Sequence, residues 1–541
     1  MKADLRIIID KLFTSLTGLA IASMIIALFV ILGPMLYRGF GAIVFRGTVE
    51  FRKMQIAEFH HGNAEKVKQE AEKTQKVRQV VYDMIHRFRN GIDIEELENR
   101  VKDIHRNYGN ELQQKDISRE QYKELRDFSK EIRDKLIDTF SSDNIEKIKE
   151  NIDFVLQYEM DERFVETVAI EYFTIARDFL KSSAKIDFEK RDFYAAELEE
   201  LEDIILRLLG PAPDADTPML AQKRYGATRL DQTNILFHQL FWKEKWVEQE
   251  NSVALIKIEN SRPEQFAGTE LEPLFGYIKD NIKQMLNPKL TFYWRYFFDD
   301  STPGHYFGGI GPEIFGTLLL TLLSMIFVIP FGVISAAYLT ECTKEGPVVR
   351  IIRMCINTLA GVPSIVFGLF GMAFFVLFFI PIFGGPSQPC ILAGSLTLAV
   401  LTLPVMIRAS EEAIKTVPQT YKEASLALGA SKFLTFVKVT LPAALPGILT
   451  GIILSLSRVA GETAPILFTA GIAIGPIPKS IFQTTRTLSY GSWDMAVSDK
   501  LAAEVPHNQF GMVVTLVLLI LCLNAMAIIL RARVFKKLKG H

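Results

Sequence analysis

The sequence predicts an all-α membrane protein with six transmembrane helices and a mostly helical extracytoplasmic domain inserted after the first of them. Two observations predict this fold class. Glu, Lys, Asp and Arg crowd into residues 38–310, whereas Leu, Ile, Val, Phe, Ala and Gly dominate residues 311–541. Six apolar runs, one near the N-terminus and five beyond residue 310, are each near the roughly 20 residues that a helix needs to cross a bilayer.

These observations divide the chain into three parts. Residues 1–37 form a cytoplasmic N-terminus and the first span, residues 38–310 the inserted domain, and residues 311–541 a membrane domain with a cytoplasmic loop at 409–445. The formal net charge is −1, so nothing favours nucleic-acid binding. The 4 cysteines lie beyond residue 340 without metal-ligand spacing, so we expect no metal site.

The first apolar run, residues 18–37, contains no charged residue. Lys2, Arg6 and Lys11 precede it, which predicts a cytoplasmic N-terminus. A cleaved signal peptide is the alternative, but the run is long for one and no clean small-x-small cleavage site follows. We therefore expect a retained membrane anchor.

Residues 38–310 then lie outside the cytoplasm and have the pattern of amphipathic helices. Ser118 and Gln121 form a capping box ahead of one of them. Apolar residues recur there at spacings of three and four, in narrow stripes that suit a helical hairpin or a short coiled coil. Residues 253–258 are β-branched and apolar enough for a strand. No catalytic constellation is present in this region.

Five further apolar runs follow, at residues 315–339, 363–383, 390–407, 446–470 and 511–530. The connection after the first of these runs and the C-terminal tail both carry Lys and Arg. Both fall on the cytoplasmic side if the N-terminus is inside, so the number of spans and the charge bias agree. We therefore expect both termini and the 409–445 loop to be cytoplasmic.

The 409–445 loop contains a run of small and apolar residues, followed by a glycine and, further on, by Leu-Pro. The run favours a short helix, the glycine permits the positive φ that ends it, and the proline fits the first turn of the next span. Such a helix can dock in a groove of a soluble partner; an amphipathic connector on the membrane surface is the alternative. The residues concerned are Glu423, Ala424, Ser425, Gly429, Leu441 and Pro442.

The spacing of these residues resembles the EAA loop of ABC importer permeases. In that pattern Glu-Ala-Ala is followed after three residues by Gly, and after nine more by Ile-x-Leu-Pro. Ser425 stands for the second Ala and Val439 for the Ile. Residues 308–318, 361–371 and 458–465 look like the corresponding segments of the PstA family of phosphate importer permeases.

The resemblance implies a function and an assembly. The fold would be that of type I ABC importer permeases in the bacterial inner membrane, and the chain would form half of a phosphate path. Its partners would be a sister permease PstC, an ATPase dimer PstB that binds ATP and Mg, and a phosphate-binding protein PstS. The loop residues would couple the permease to the ATPase. Residues 38–300 resemble the extra N-terminal domain that some members carry.

Two charged residues lie inside the predicted fifth span. Arg458 and Glu462 are spaced i,i+4, which would place them on one helix face. Charges within a membrane are costly and usually line a cavity or pair with each other. The arginine offers a fork of donors to a phosphate oxygen, and the glutamate can accept the proton of hydrogen phosphate; a purely structural ion pair is the alternative. Arg408, at the end of the fourth span, is a weaker candidate for the path because it can snorkel to lipid head groups.

One segment, ending at Lys479-Ser480, resembles the end of a phosphate-binding loop. It lacks the glycine that such a loop needs before the lysine, so its backbone cannot cradle phosphates. It also falls in a predicted extracytoplasmic loop. We therefore expect a transporter subunit rather than an enzyme, without a bound cofactor, and a partner that supplies ATP hydrolysis.

Two other functions stay open. The first is a permease for another oxyanion such as sulfate or molybdate, against which the intramembrane carboxylate argues. The second is a membrane-anchored signalling or adaptor protein that acts through residues 38–310, which the helical stripes allow. Uptake into vesicles that contain the co-expressed partners separates transport from an adaptor role.

Overall fold

A computed structural model of the protein describes residues 2–538 apart from 116, 143, 162, 184–189, 213–225, 249–254, 303–304, 345 and 498–505. These residues form two compact units. The membrane unit contains Met1–Phe45 and Thr291–His541, and the inserted unit contains Arg46–Leu290. The inserted unit is thus shorter at both ends than the 38–310 that the sequence predicts.

Helix α1 (Lys2–Phe40) carries the first apolar run. Near its C-terminal end the Arg38 guanidinium lies 5.2 Å from the centre of the Phe510 ring, so that α1 packs on the last helix of the chain. Strand β1 (Val44–Gly47) follows and pairs with the strand Lys289–Phe292. The chain therefore leaves and re-enters the membrane unit on adjacent strands.

The inserted unit is built from helices and one pair of strands. Its helices are α2 (Val49–Phe59), α3 (Ala64–Ile92), α4 (Ile94–Gln114), α5 (Arg119–Phe140), α6 (Ile145–Leu156), α7 (Glu171–Ser183), α8 (Arg191–Leu209), α9 (Leu230–Phe241), α10 (Arg262–Gln265) and α11 (Glu272–Leu286). Strands β2 (Trp242–Glu248) and β3 (Leu255–Ser261) pair antiparallel, and β4 (Lys289–Phe292) leads back to the membrane unit. The strand predicted at 253–258 corresponds to β3, although residues 253 and 254 lie outside the described part of the chain.

The predicted capping box at the start of α5 is confirmed. Ser118 Oγ accepts the Gln121 N–H at 3.3 Å, and the Gln121 side chain accepts the Ser118 N–H at 3.2 Å. The apolar stripes of α4 and α5 do not form an isolated hairpin, because α6 and α7 cover them in one core. Tyr108 of α4 and Tyr172 of α7 are fully buried there. Large aromatic side chains supply the area that the narrow stripes lack.

The membrane unit continues with helices α12 (Gly311–Ala337), α13 (Pro347–Ala360), α14 (Ser364–Gly371), α15 (Ile380–Ile382), α16 (Ile391–Lys415), α17 (Gln419–Ala427), α18 (Lys432–Thr435), α19 (Leu441–Gly461), α20 (Ala464–Thr469), α21 (Leu488–Val497) and α22 (Pro506–Leu538). π-Helical segments lie at Tyr338–Cys342, Met372–Phe379 and Phe436–Thr440. The central core is shared by α12, α16 and α19.

Six helices among the described residues are long and apolar enough to span a membrane, which confirms the predicted all-α class and the number of spans. They are Lys11–Phe40, Gly311–Cys342, Ser364–Ile382, Ile391–Lys415, Lys432–Gly461 and His507–Lys536. Two of the predicted spans differ most from the helices: the fourth, predicted to end near 407, ends at Lys415, and the fifth is Lys432–Gly461 rather than about 446–470. The fourth apolar run ends at the charge of Arg408, whereas its helix continues through the good helix formers of residues 408–415. The predicted 409–445 loop is therefore largely helical.

Candidate functional site

A helical hairpin, residues 419–435, follows the fourth span, and its second arm is the beginning of the fifth span. It consists of α17, a turn and α18, and we call it the α17–α18 hairpin. Gly429 in the turn has a φ of 84°, which confirms the predicted stop, because glycine adopts positive φ without steric cost. Ser431 then caps α18 by accepting the Leu434 N–H at 3.2 Å. Local sequence alone is enough to form this bend.

A pair of hydroxyl groups holds the two arms of the hairpin together. Ser425 Oγ lies 2.9 Å from Oγ1 of the buried Thr435. Ser425 is the residue that replaces the second alanine of the EAA pattern, and an alanine could not make this hydrogen bond. Such a bond contributes about 0.5–1.5 kcal/mol. This departure from the pattern therefore stiffens the hairpin.

The outer surface of the hairpin is apolar. Leu428 is 90% exposed and Phe433 is 76% exposed, while Tyr421 and Leu426 are exposed as well. None of the residues of α17 is buried, and Glu423 is exposed on the same helix. Exposed apolar side chains gathered on one segment are typical of a surface that contacts a protein or a membrane.

Leu441 and Pro442 lie in the first turn of α19, as the sequence predicts, but no break separates α19 from the helix before it. The helix runs continuously from Lys432 through a π-helical segment into α19. Proline donates no N–H and its ring clashes with the preceding turn, which strains an α-helix at that point. The π-helical segment directly before Pro442 widens the helix, as another does before Pro381. The chain therefore passes the proline without ending the helix.

The fifth span ends in a helix break that carries both predicted path charges. α19 ends at Gly461, α20 begins at Ala464, and Glu462 between them is extended, with φ −75° and ψ 134°. Glu462 therefore ends α19 as its C-cap, and it keeps the predicted i,i+4 relation to Arg458. The two meet, since Arg458 Nε lies 3.5 Å from Glu462 Oε1. Pro465 explains the break, because it cannot donate to α19.

Both side chains of this pair are partly accessible, with 33% of Arg458 and 19% of Glu462 exposed. The Glu462 carbonyl accepts the Ser489 hydroxyl at 3.0 Å. Ser457 donates to Oδ1 of Asn524 on α22 at 2.8 Å. Hydrogen bonds from α21 and α22 thus fix the break, while the charged groups remain within reach of a small anion.

Helix α14 packs tightly against the segment that follows the break. A side chain at Gly368 would collide with the Ala464 carbonyl, and one at Gly371 would collide with Thr397 and Thr469. Only glycine permits this approach of α14 to α20 and α16. Two of the three segments that carry the family resemblance therefore meet at the helix break.

The third of these segments reaches the break through residues 485–489. Gly316 of α12 lies so close to the Arg486 carbonyl that a side chain there would collide with it. Thr317 Oγ1 accepts the Leu488 N–H at 2.9 Å, and the next residue is Ser489, which holds the Glu462 carbonyl. Segments that are distant in sequence thus form one site.

Arg408 is not joined to this site. It is exposed on α16, and within the residues that the structure describes it forms no ion pair or hydrogen bond with Arg458 or Glu462. A long exposed side chain at this place is consistent with contact to lipid head groups.

The sequence analysis missed a set of ion pairs at the helix ends next to the hairpin. Lys422 Nζ lies 2.5 Å from Glu341 Oε1. Glu411 Oε1 lies 2.9 Å from an Arg353 nitrogen and 2.7 Å from Lys415 Nζ. Glu341 and Glu411 each lie just beyond an apolar run, where a charge usually indicates the edge of the membrane. Their position in the sequence therefore did not show which basic residues they pair with.

A second missed cluster lies at the N-terminal end of α12. The buried Arg486 lies 2.6 Å from Asp300 and 3.5 Å from the buried Glu313. Burial, and then the charge of Arg486, lower the pKa of His305 to about 4, so this histidine is neutral at pH 7. Asp300 and Glu313 thus hold Arg486 in place, and the carbonyl of Arg486 packs against Gly316 of α12.

Comparison with known proteins finds relatives of the membrane unit. Residues 304–540 match the family described as "Binding-protein-dependent transport system inner membrane component". The probable ABC transporter permease protein YqgI of Bacillus subtilis (strain 168) is 36% identical over 247 residues, which cover 43% of this chain and 81% of that protein. The family match does not extend over the inserted unit.

Two further relatives carry phosphate transport in their names. The phosphate transport system permease protein PstA of Mycobacterium leprae (strain TN) is 38% identical over 179 residues, covering 33% of this chain and 57% of the relative. The probable phosphate transport system permease protein PstA of Methanocaldococcus jannaschii is 36% identical over 200 residues, covering 35% and 68%. The chain thus spans little more than half of the first of these two and about two thirds of the second.

Proposed function

Because the chain belongs to the family of binding-protein-dependent transport system inner membrane components, we propose that it is a permease subunit of an ATP-driven importer of inorganic phosphate. It is a multi-pass membrane protein with the type I importer permease fold. Permeases of such importers work with an ATPase and a binding protein. The proposal adds the substrate, the named partners and the orientation in the membrane.

The Arg458–Glu462 pair at the helix break is the observation that supports an anion substrate. Non-helical backbone at membrane depth occurs where it lines a cavity, and broken helices often form transport sites. Arg458 can bind phosphate oxygens with its fork of donors, and Glu462 can accept the proton of hydrogen phosphate. Sulfate carries no such proton near neutral pH, so the carboxylate would favour phosphate.

The α17–α18 hairpin would couple this path to ATP hydrolysis. Its exposed apolar surface and the exposed Glu423 suit docking in a groove of an ATPase, which would be the PstB dimer and would bind ATP and Mg. The sister permease PstC would complete the path, and the binding protein PstS would deliver phosphate. Leu441 and Pro442 would transmit movement of the hairpin along the continuous helix that ends at the charged pair.

The substrate is tested by uptake into vesicles that contain the chain with these partners. We expect ATP-dependent uptake of labelled phosphate, and at least tenfold less uptake of sulfate, because one lost hydrogen bond to a charged group costs about 1.5–3 kcal/mol. A vesicle preparation without the ATPase is the control. Equal uptake of both anions would contradict the selectivity that we ascribe to Glu462.

The proposed orientation places the hairpin and both termini in the cytoplasm and the inserted unit outside it. The Lys and Arg residues before the first span and after the last span support this orientation. The inserted unit would then stand where a binding protein approaches the permease.

The orientation is tested by labelling single cysteines with an impermeant maleimide. The free cysteines Cys342, Cys355, Cys390 and Cys522 are first replaced by serine. In intact cells we expect labelling of Glu150→Cys in the inserted unit and none of Leu428→Cys in the hairpin, although both positions are exposed. Permeabilised cells, in which both should react, are the control. The opposite pattern in intact cells would overturn the orientation.

A further inference from the structure

An ion pair joins the α17–α18 hairpin to the C-terminal end of α12. Lys422 Nζ lies 2.5 Å from Glu341 Oε1, and only 13% of the lysine and 26% of the glutamate side chain is exposed. Glu341 belongs to the π-helical segment Tyr338–Cys342 that follows α12. Partial burial protects this pair from the water and salt that weaken exposed ion pairs.

Apolar packing does not position α17. None of its residues is buried, and beside it lies a cavity of about 400 Å³ whose lining includes Leu339, Val349, Ile414 and Lys422. A helix without a buried face is held by polar contacts and by its neighbours in the chain. The Lys422–Glu341 pair is a polar contact of this kind between α17 and the end of α12.

Two other helices hold the same end of α12. Arg353 of α13 donates to the Leu339 carbonyl at 3.4 Å and also lies 2.9 Å from Glu411 of α16. A π turn changes which carbonyls its own N–H groups reach, and here a side-chain donor contacts one of them. The segment Tyr338–Cys342 at the end of α12 is therefore held by polar contacts, and we call it the polar joint. Lys422 of α17 contributes one of these contacts from the exposed hairpin.

From this joint α12 extends to the helix break. The Thr317 hydroxyl near its start accepts the Leu488 N–H, and Ser489 donates to the Glu462 carbonyl. The helix between Thr317 and the joint is about 36 Å long at 1.5 Å per residue. Pro330 lies inside it, but the helix is continuous and packs on α16. A packed helix of this kind carries displacements between sites.

We propose that the Lys422–Glu341 ion pair is a positioning contact that transmits movement of the hairpin to α12, and through α12 to the Arg458–Glu462 pair. The inference rests on the proposed function. Without the ion pair the hairpin would still dock on the ATPase, but residues 416–418 alone would join it to the spans on that side. ATP would then be hydrolysed with little transport.

The test compares Glu341→Lys, Lys422→Glu and the double variant with wild type. Lys344→Glu is the matched control, since it reverses an exposed lysine charge three residues from Glu341. Each complex is purified with its ATPase and reconstituted in vesicles, where phosphate uptake and ATP hydrolysis are measured together. We expect each single reversal to lower phosphate uptake per ATP hydrolysed roughly tenfold, because like charges now face each other. The double variant should regain most of the wild-type ratio.

The outcomes separate this proposal from others. The proposal is overturned if both single variants take up as much phosphate per ATP hydrolysed as Lys344→Glu does. It is also overturned if the double variant takes up as little phosphate per ATP as the single variants do. Loss of the ATPase from a single variant also overturns it, because the pair would then build the docking surface itself. If the wild-type complex hydrolyses ATP but takes up no phosphate, the proposed substrate is contradicted instead. Coupling in the variants is then measured as the stimulation of ATP hydrolysis by the binding protein.

Discussion

Arg458→Gln and Glu462→Gln should each reduce phosphate uptake by a factor of roughly 10 to 150 while the protein still reaches the membrane. Each change removes a hydrogen-bonding charged group, which costs about 1.5–3 kcal/mol. It also leaves the partner charge without compensation in a partly buried site. Uptake is measured in vesicles, and co-purification of the ATPase shows whether the complex assembles. Lys479→Gln, which removes an exposed positive charge in the same unit, is the control.

The charge-swapped variant, Arg458→Glu with Glu462→Arg, distinguishes substrate handling from a structural ion pair. Attraction between the two charges is nearly symmetric, so a structural pair should tolerate the swap. The two positions are not equivalent, because residue 458 is in the last turn of α19 and residue 462 is extended beyond it. We therefore expect the swapped protein to assemble but remain inactive. Uptake near the wild-type level in this variant would rule out a role of either residue in handling phosphate.

Gly429→Val should abolish stimulation of the ATPase while leaving membrane insertion intact. The φ of 84° at this position is unfavourable for a β-branched residue, by at least the 1–2 kcal/mol that the left-handed conformation costs an ordinary residue. A side chain there meets no atom within 4 Å, so the effect would arise from backbone strain alone. The hairpin would then adopt another bend and misplace its apolar surface. ATP hydrolysis by the purified complex is the measurement.

Gly429→Asn is the matched control, because asparagine tolerates the left-handed conformation better than most residues. This variant should retain most of the stimulation even though it adds a polar side chain at the same point. If the valine variant stimulates the ATPase as well as the asparagine variant does, the bend at this glycine is not needed for coupling.

The spans and the bend of the hairpin could be predicted because they depend on local sequence. Apolar runs of about 20 residues predict the six helices, and a glycine after a short helical run predicts the stop at Gly429. The end of α19 was missed although Pro465 was visible inside the predicted span. The predicted span followed the length of the apolar run, although a proline disrupts the helical turn before it.

The ion pairs next to the hairpin could not be predicted in the same way. Glu341 and Lys422 are 81 residues apart, and the sequence around each of them does not predict that it pairs with the other. The closed core of α4 to α7 was missed for a similar reason, because a narrow apolar stripe fits several kinds of partner helix. Local patterns define the elements, while contacts between distant elements decide the site.

The contact between α1 and α22 has a consequence for the order of biosynthesis. Arg38 and Phe510 are separated by 472 positions, so the first span is complete long before its neighbour exists. At about 5–20 residues per second, translation of the intervening chain takes roughly 24 to 94 s. During that time α1 is surrounded by lipid, for which its apolar surface is suited, and the inserted unit is complete before the second span is made. The membrane unit is thus closed by a helix that leaves the ribosome long after the first span does.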